Sequence, residues 1–222
     1  MINADLIITD LDGCLYESKK TSFLSLDQIL YLDKKHPGLW KKTRYVFEEK
    51  NGMSWEEKVR KAVDFVCDER ISFDDYVESG RYVVKNSEID KNMKDFLRLV
   101  NPPELDIFTL SGTEPVMFYA EEKIRPILPD TRINVGGTSL YYQPERPNII
   151  TGIRKMWGPL ERAKEAERLA KNKKTIVIGN EKRDLPMLKV GDVSFFITKE
   201  EQKKEDNIIY TSFENILSHV KQ

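Results

Sequence analysis

The chain has 222 residues, of which 40% are hydrophobic and 10% aromatic, enough for a sizeable core and too apolar for a disordered polymer. Its 36 Lys and Arg stand against 37 Asp and Glu, and a net charge of −1 excludes the electrostatic footprint of a nucleic-acid or anionic-membrane binder. No apolar run is long enough to span a bilayer, MINADLIITD does not read as a signal peptide, and two cysteines, Cys14 and Cys67, fit a reducing cytoplasm better than a disulfide framework.

The first predicted element is a buried strand, LIITD at 6–10, which runs into Asp10-Leu11-Asp12-Gly13. Side chains alternate along an extended chain, so Asp10 and Asp12 share one side. Two carboxylates so placed at an apolar strand end need a cation, a shared proton or water. Roughly 22–86 then contains no strand-like run and reads as consecutive helices: SLDQILYLDKK, LWKKTRYVFEEK, SWEEKVRKAVDFVCDER and SFDDYVESGRYVV. Ser54 with Glu57 forms a capping box, and His36-Pro37-Gly38 and Asn51-Gly52 are turn signals. We expect a helical cap at 19–86 inserted into a core made of 1–18 and 87–222.

Past the insertion, MKDFLRLV predicts a helix, DIFTLS at 106–111 a second strand, and TEPVMFYAEEKIRPIL another helix. Residues 131–153 (INVGG, SLYYQ, NIITGI) read as a hairpin-like excursion. The helix PLERAKEAERLAK, strands at 175–179, 193–198 and 207–210, and the helix FENILSHV complete the chain. This alternation predicts an α/β, Rossmann-like, open and mainly parallel sheet with helices on both faces. Such sheets bind ligands at the carboxyl ends of their strands, where Asp10, Ser111 and Asn180 would gather.

Asp10-Leu11-Asp12-Gly13 after the first strand, Ser111-Gly112 after the second and Gly179-Asn180-Glu181-Lys182-Arg183-Asp184 after the third resemble the motif set of the haloacid dehalogenase superfamily, whose members are mostly magnesium-dependent phosphatases. The resemblance covers roughly 5–15 and 100–200, and a helical insertion directly after the first strand is similar to the cap type of phosphoserine phosphatase. It implies that Asp10 is the nucleophile forming an aspartyl-phosphate, and that Asp12 is the general acid and base. It also implies that Mg²⁺ binds at Asp10, at the Asp12 carbonyl and at an oxygen ligand past the third strand. The chemistry agrees, since phosphoryl transfer needs a nucleophile, an acid and concentrated positive charge. Mg²⁺ suits an all-oxygen site. Ser111, Gly112 and Thr113 open a helix and would cradle the phosphate with hydroxyl and backbone N–H groups.

Two positions depart from the superfamily pattern. Asn180 stands where a metal-binding carboxylate is usual, so Asn180 itself, Glu181 or Asp184 would complete the metal set with Asp10 and Asp12. The lysine that pairs with nucleophile and phosphate has three basic candidates. Counting back from the helix end selects Arg162, while counting forward from Thr151-Gly152 selects Lys164, which we favour over Lys155. His36 and His219 lack zinc-ligand spacing, and Cys14 is expected at the site mouth without a histidine to activate it. Trp40, Trp55 and Tyr76 are expected inside the insertion.

The expected activity is hydrolysis of a small phosphorylated metabolite, with the insertion as lid; Glu48, Glu49 and Arg81 are its generic polar candidates. A metal-free dehalogenase, motivated by Asn180, and a non-catalytic phospho-ligand binder, motivated by Asn180 and the displaced lysine, are the alternatives. Oligomeric state is not encoded in any readable pattern.

Overall fold

The computed structural model describes residues 3–17, 24–48, 52–143, 149–199 and 206–220, with backbone alone for Glu17 and residues 110–112. Glu49 and Asn51 lie outside the described residues. In chain order the elements are β1 (Leu6–Thr9), β2 (Tyr16–Glu17), α1 (Leu24–Leu32), α2 (Leu39–Glu48), α3 (Trp55–Asp68), α4 (Phe73–Asn86) and β3 (Glu88–Ile89). There follow α5 (Lys91–Val100), β4 (Glu104–Thr113), α6 (Glu114–Ile124), β5 (Arg132–Gln143), β6 (Ile149–Lys155), α7 (Pro159–Ala170) and β7 (Thr175–Gly179). A 3-10 turn (Lys182–Asp184), α8 (Leu185–Leu188), β8 (Val193–Ile197), β9 (Ile208–Thr211) and α9 (Phe213–Val220) complete it.

Seven strands form one sheet in the order β6-β5-β4-β1-β7-β8-β9, with every neighbouring pair parallel except β5 and β6. The short continuous apolar run of β1 is buried along its whole length because the strand lies at the centre with helices on both faces. The period of two sorts its side chains: Ile7 joins Ile176, Ile178, Leu105 and Ile107 under α5, α6 and α9, whereas Leu6 and Ile8 join Val177 under α7 and α8. The α/β Rossmann-like class expected from the sequence is the class observed.

Residues 131–153 are more than an excursion. Residues 132–136 of β5 pair in parallel with 104–108 of β4, and β6 folds back on β5. The sheet thus gains two strands on the side where the sequence pattern was weakest.

Four helices, α1 to α4, stand between β2 and β3, and these two short strands pair with each other where the chain leaves and returns. The capping box at Ser54 and Glu57 is formed in both directions, and Ser72 caps α4 by accepting from the Asp75 N–H. The segment has its own core of Ile29, Leu32, Leu39, Val66, Ile71 and Tyr76, completed by Leu140 of β5 and Ile150 of β6. A main-chain hydrogen bond from Ile150 N–H to Ile71 O, 3.2 Å, joins the segment to β6.

Candidate active site

Asp10 follows β1 directly, and its N–H donates to Ile178 O of β7 at 3.0 Å, so the sheet ladder itself fixes the residue. The chain then turns at Gly13, which has φ +71° and whose N–H donates to Tyr16 O. A Cβ here would meet Asn180 Nδ2 at 2.1 Å, so glycine serves both the left-handed turn and the close approach of the loop after β7. Asp12, also buried, accepts at Oδ1 from the Leu24 N–H at 2.8 Å. The first turn of α1 is thereby tied to the second aspartate.

The cation beside Asp10 is Arg162. Its side chain is wholly buried, with Nη1 3.2 Å from Asp10 Oδ1 and Nη2 2.6 Å from Asp184 Oδ1. Nη1 also donates to Phe108 O at 3.4 Å. A planar fork can bridge two carboxylates in this way, where an ammonium would act as a point charge. The expectation for Lys164 and Lys155 is corrected by helix phase. Arg162 and Ala166, four residues apart, form the buried face of α7, whereas Lys164 is exposed. Lys155 is exposed on β6 with Nζ 3.9 Å from the Trp157 ring centre.

Asp184 is also placed differently from its expected metal role. One oxygen holds Arg162 and the other accepts from the N–H groups of Asn180 and Glu181, each at 2.9 Å. Both oxygens are spent on positioning. Gly179 permits this closure, since a Cβ there would lie 2.6 Å from that of Asp184. Glu181 is held by Arg183 at 2.8 Å and does not stand free as a substitute ligand. Arg183 in turn lays its guanidinium over the Trp55 ring of α3 at 3.8 Å. Asn180 presents Oδ1, which accepts a weak hydrogen bond from Cys14 Sγ at 3.4 Å. Cys14 is fully buried behind the loop and not at a mouth.

Burial pushes the Asp10 carboxyl well above the usual carboxylate range, reinforced by the charge of Asp184, opposed by Arg162 and reinforced again by Asp12. Burial and the same two carboxylates Asp10 and Asp184 push the Cys14 thiol up, which argues against a reactive thiolate. Were Asp10 and Asp184 both ionised, their charge would exceed that of Arg162, and a cation beside Asp10 would offset the surplus. The oxygens left for such an ion are those of Asp10, the Asp12 carbonyl and Asn180 Oδ1. No group of three or more His, Cys, Asp or Glu converges on a metal position among the described residues.

Thr113 closes β4 and its hydroxyl donates to Gln28 Oε1 of α1 at 2.8 Å, instead of capping α6. Backbone places Ser111 and Gly112 two residues and one residue before it; their side chains lie outside the described residues. Gln28 Nε2 donates to Tyr76 O and to Ser79 Oγ, both at 3.0 Å. Tyr76 is buried as expected, while Trp55 has its ring against Arg183 of the loop after β7. Glu48 is exposed and paired with Arg44, and Arg81 is exposed. His36 sits in the turn after α1, and His219 lies in α9 beside Phe195.

No family model matches the sequence, and no curated protein matches it significantly. Solved structures do match in three dimensions. A probable phosphoserine phosphatase from Vibrio cholerae, unliganded, aligns at TM-score 0.65 and 13% identity, over 92% of this chain and 59% of that one. A phospho-aspartyl intermediate analogue of phosphoserine phosphatase aligns at TM-score 0.64 and 14% identity, over 98% and 99% of the two chains. The chain has the haloacid dehalogenase fold. A 2-haloacid dehalogenase from Pseudomonas syringae pv. tomato also aligns, at TM-score 0.51 and 14% identity over 100% and 98% of the chains. Within the haloacid dehalogenase fold this chain sets an arginine beside the first aspartate and an amide after β7.

Proposed function

We propose that the protein is a phosphomonoesterase that transfers the phosphoryl group of a small metabolite to Asp10 and then to water. The observation that carries this reading is the pair Asp10 and Arg162: a buried carboxylate at the end of the central strand, gripped by a buried guanidinium that is itself locked by Asp184. Asp10 supplies the attacking oxygen, and the P–O ester bond breaks as the new P–O bond to Asp10 forms. Asp12, held by the Leu24 N–H, gives its proton to the departing alkoxide and takes one from the water that attacks the aspartyl-phosphate. Arg162 and the backbone N–H groups at Ser111 to Thr113 face the phosphoryl oxygens. Mg²⁺, held by Asp10, the Asp12 carbonyl and Asn180, would supply Lewis-acid charge to the phosphoryl group. Helices α1 to α4 serve as a cap that excludes water, and the free thiols Cys14 and Cys67 support a cytoplasmic setting.

The test is release of phosphate from 4-nitrophenyl phosphate with Mg²⁺ by the wild type and by Asp10→Asn. The variant should lose activity by roughly four or more orders of magnitude while its far-ultraviolet dichroism is unchanged. Activity persisting in a folded Asp10→Asn protein would reject the aspartyl-phosphate route. The amide at Asn180 favours one rival, metal-independent dehalogenation, for which halide release from 2-chloropropionate without phosphate release would decide.

A further inference from the structure

Beneath the cap lies a cleft that opens to solvent and whose enclosed part is small, about 50 Å³. The phosphate loop borders it directly: Thr113 lines the wall, and Thr138, its pairing partner across β4 and β5, lines it beside Thr113. On the cap side the wall includes Ser25, the residue after the Leu24 whose N–H holds Asp12. Among the described residues that form this wall, none carries a charge. The amide of Gln28 and the hydroxyl of Thr113 are engaged with each other, with Tyr76 O and with Ser79. Phe47, Val59, Val63 and Val66 supply apolar surface.

Two groups break this uniformity. The hydroxyls of Thr43, on α2, and Thr138, on β5, are buried to 0% and 1% exposure, line the cavity and have no hydrogen-bond partner among the described residues. A buried hydroxyl without a partner is unfavourable, so two of them on one cavity mark places where a ligand supplies the missing bond. One comes from the cap and the other from the sheet, so a ligand that satisfies both also bridges cap and core.

We infer that this cavity receives the leaving group of the phosphomonoester, and that the leaving group is uncharged and largely apolar, with a hydrogen-bonding function for Thr43 and Thr138. The inference rests on the phosphatase reading and names its substrate class. An amino-acid phosphate would bring an ammonium and a carboxylate to a wall whose described residues carry no counter-charge, and a sugar phosphate several hydroxyls to a wall whose described residues offer few free partners. An aryl-methyl or branched-alkyl phosphate bearing an amide or a single hydroxyl loses little on entering.

The experiment uses the full chain with Mg²⁺ and compares benzyl phosphate, 4-carbamoylbenzyl phosphate and O-phosphoserine, all esters of alkyl alcohols. The value of kcat/KM for the two benzyl esters should exceed that for O-phosphoserine by at least about a hundredfold. Thr43→Val and Thr138→Val should each lower the ratio of 4-carbamoylbenzyl to benzyl phosphate by roughly tenfold. In parallel, calorimetry measures 4-carbamoylbenzyl alcohol binding to Asp10→Asn, which is independent of turnover. Equal or better use of O-phosphoserine, with 4-nitrophenyl phosphate hydrolysed, overturns the inference and leaves the phosphatase reading intact. Alcohol binding that the two valine variants weaken, with no ester hydrolysed, upholds the pocket and rejects the phosphatase reading. Absence of both binding and selectivity overturns the inference.

Discussion

At the strand ends Asp10 and Asp184 are buried and each bonded to the buried Arg162, while on the same sheet Thr113 and Thr138 border a cavity whose described wall carries no charge. The two regions are neighbours, yet one is saturated with fixed charge and the other has spare neutral donors and acceptors. Under the proposed function the floor takes the phosphoryl group, whose charge is the same whatever alcohol carries it. Under the same reading the roof takes the part of a substrate that varies. Similar folds can therefore share the floor and diverge in the roof, so that side chains and not the fold decide function.

That contrast can be broken most directly at Arg162. Arg162→Met leaves two buried carboxylates without their cation and should cost about 3–5 kcal/mol of unfolding free energy, read from urea titrations. Arg162→Lys keeps the charge and should retain most of that stability while losing the two-pronged grip. A methionine variant as stable as wild type would show that the floor is not organised around this fork.

A smaller effect sharpens the contrast at Asn180. Asn180→Asp adds the charge that the candidate metal set lacks, and the Mg²⁺ concentration giving half-maximal activity should fall by roughly tenfold. The roof should not respond: relative rates among alcohol esters should stay as in wild type. No change in Mg²⁺ demand would remove Asn180 from the metal set.

The smallest expected effect concerns pH. Burial and Asp184 hold the Asp10 proton more tightly in the folded chain than in the unfolded one. Its stability contribution is then full below the ordinary carboxylate pKa of about 4 and is lost as pH rises through the raised folded value. In protein stripped of divalent ions, Asp10→Asn should be the more stable form near neutrality. Its advantage in urea midpoint should shrink as the pH falls toward 4. An advantage that grows on acidification would reverse the assigned direction.

The sequence made β1 and its Asp10-Leu11-Asp12-Gly13 turn legible because a short continuous apolar run with an acidic end has few structural meanings. Ser54 and Glu57 were equally readable, since a capping box is a local motif. Arg162 was harder to choose over Lys164. Two helical residues differ by about 200°, so the choice needs the phase of α7. The buried positions Arg162 and Ala166, with the half-buried Leu169, carry that phase, and the stripe could have been used to find it. Strand β5 was hidden for another reason: its parallel pairing with β4 is non-local and crosses the whole of α6. The cavity was not readable at all. Thr43 and Thr138 are ordinary residues in sequence and become distinctive only when distant elements leave both hydroxyls unpaired in one space.

The ribbon formed by Tyr16–Glu17 and Glu88–Ile89 has a mechanical consequence. It gives the four-helix segment a narrow axle, and Lys123 of α6 steadies that end by donating to the carbonyls of Val84 and Ser87. At the far end the segment is held by the peptide hydrogen bond from Ile150 to Ile71, by Leu140 and Ile150 packed into its core, by the hydrogen bond from Thr113 to Gln28 and by Arg183 stacked on Trp55. Rotation about the axle would have to part these contacts but would unthread no strand of the large sheet. The swing is also geared to the acid, because the same rotation draws the Leu24 N–H away from Asp12.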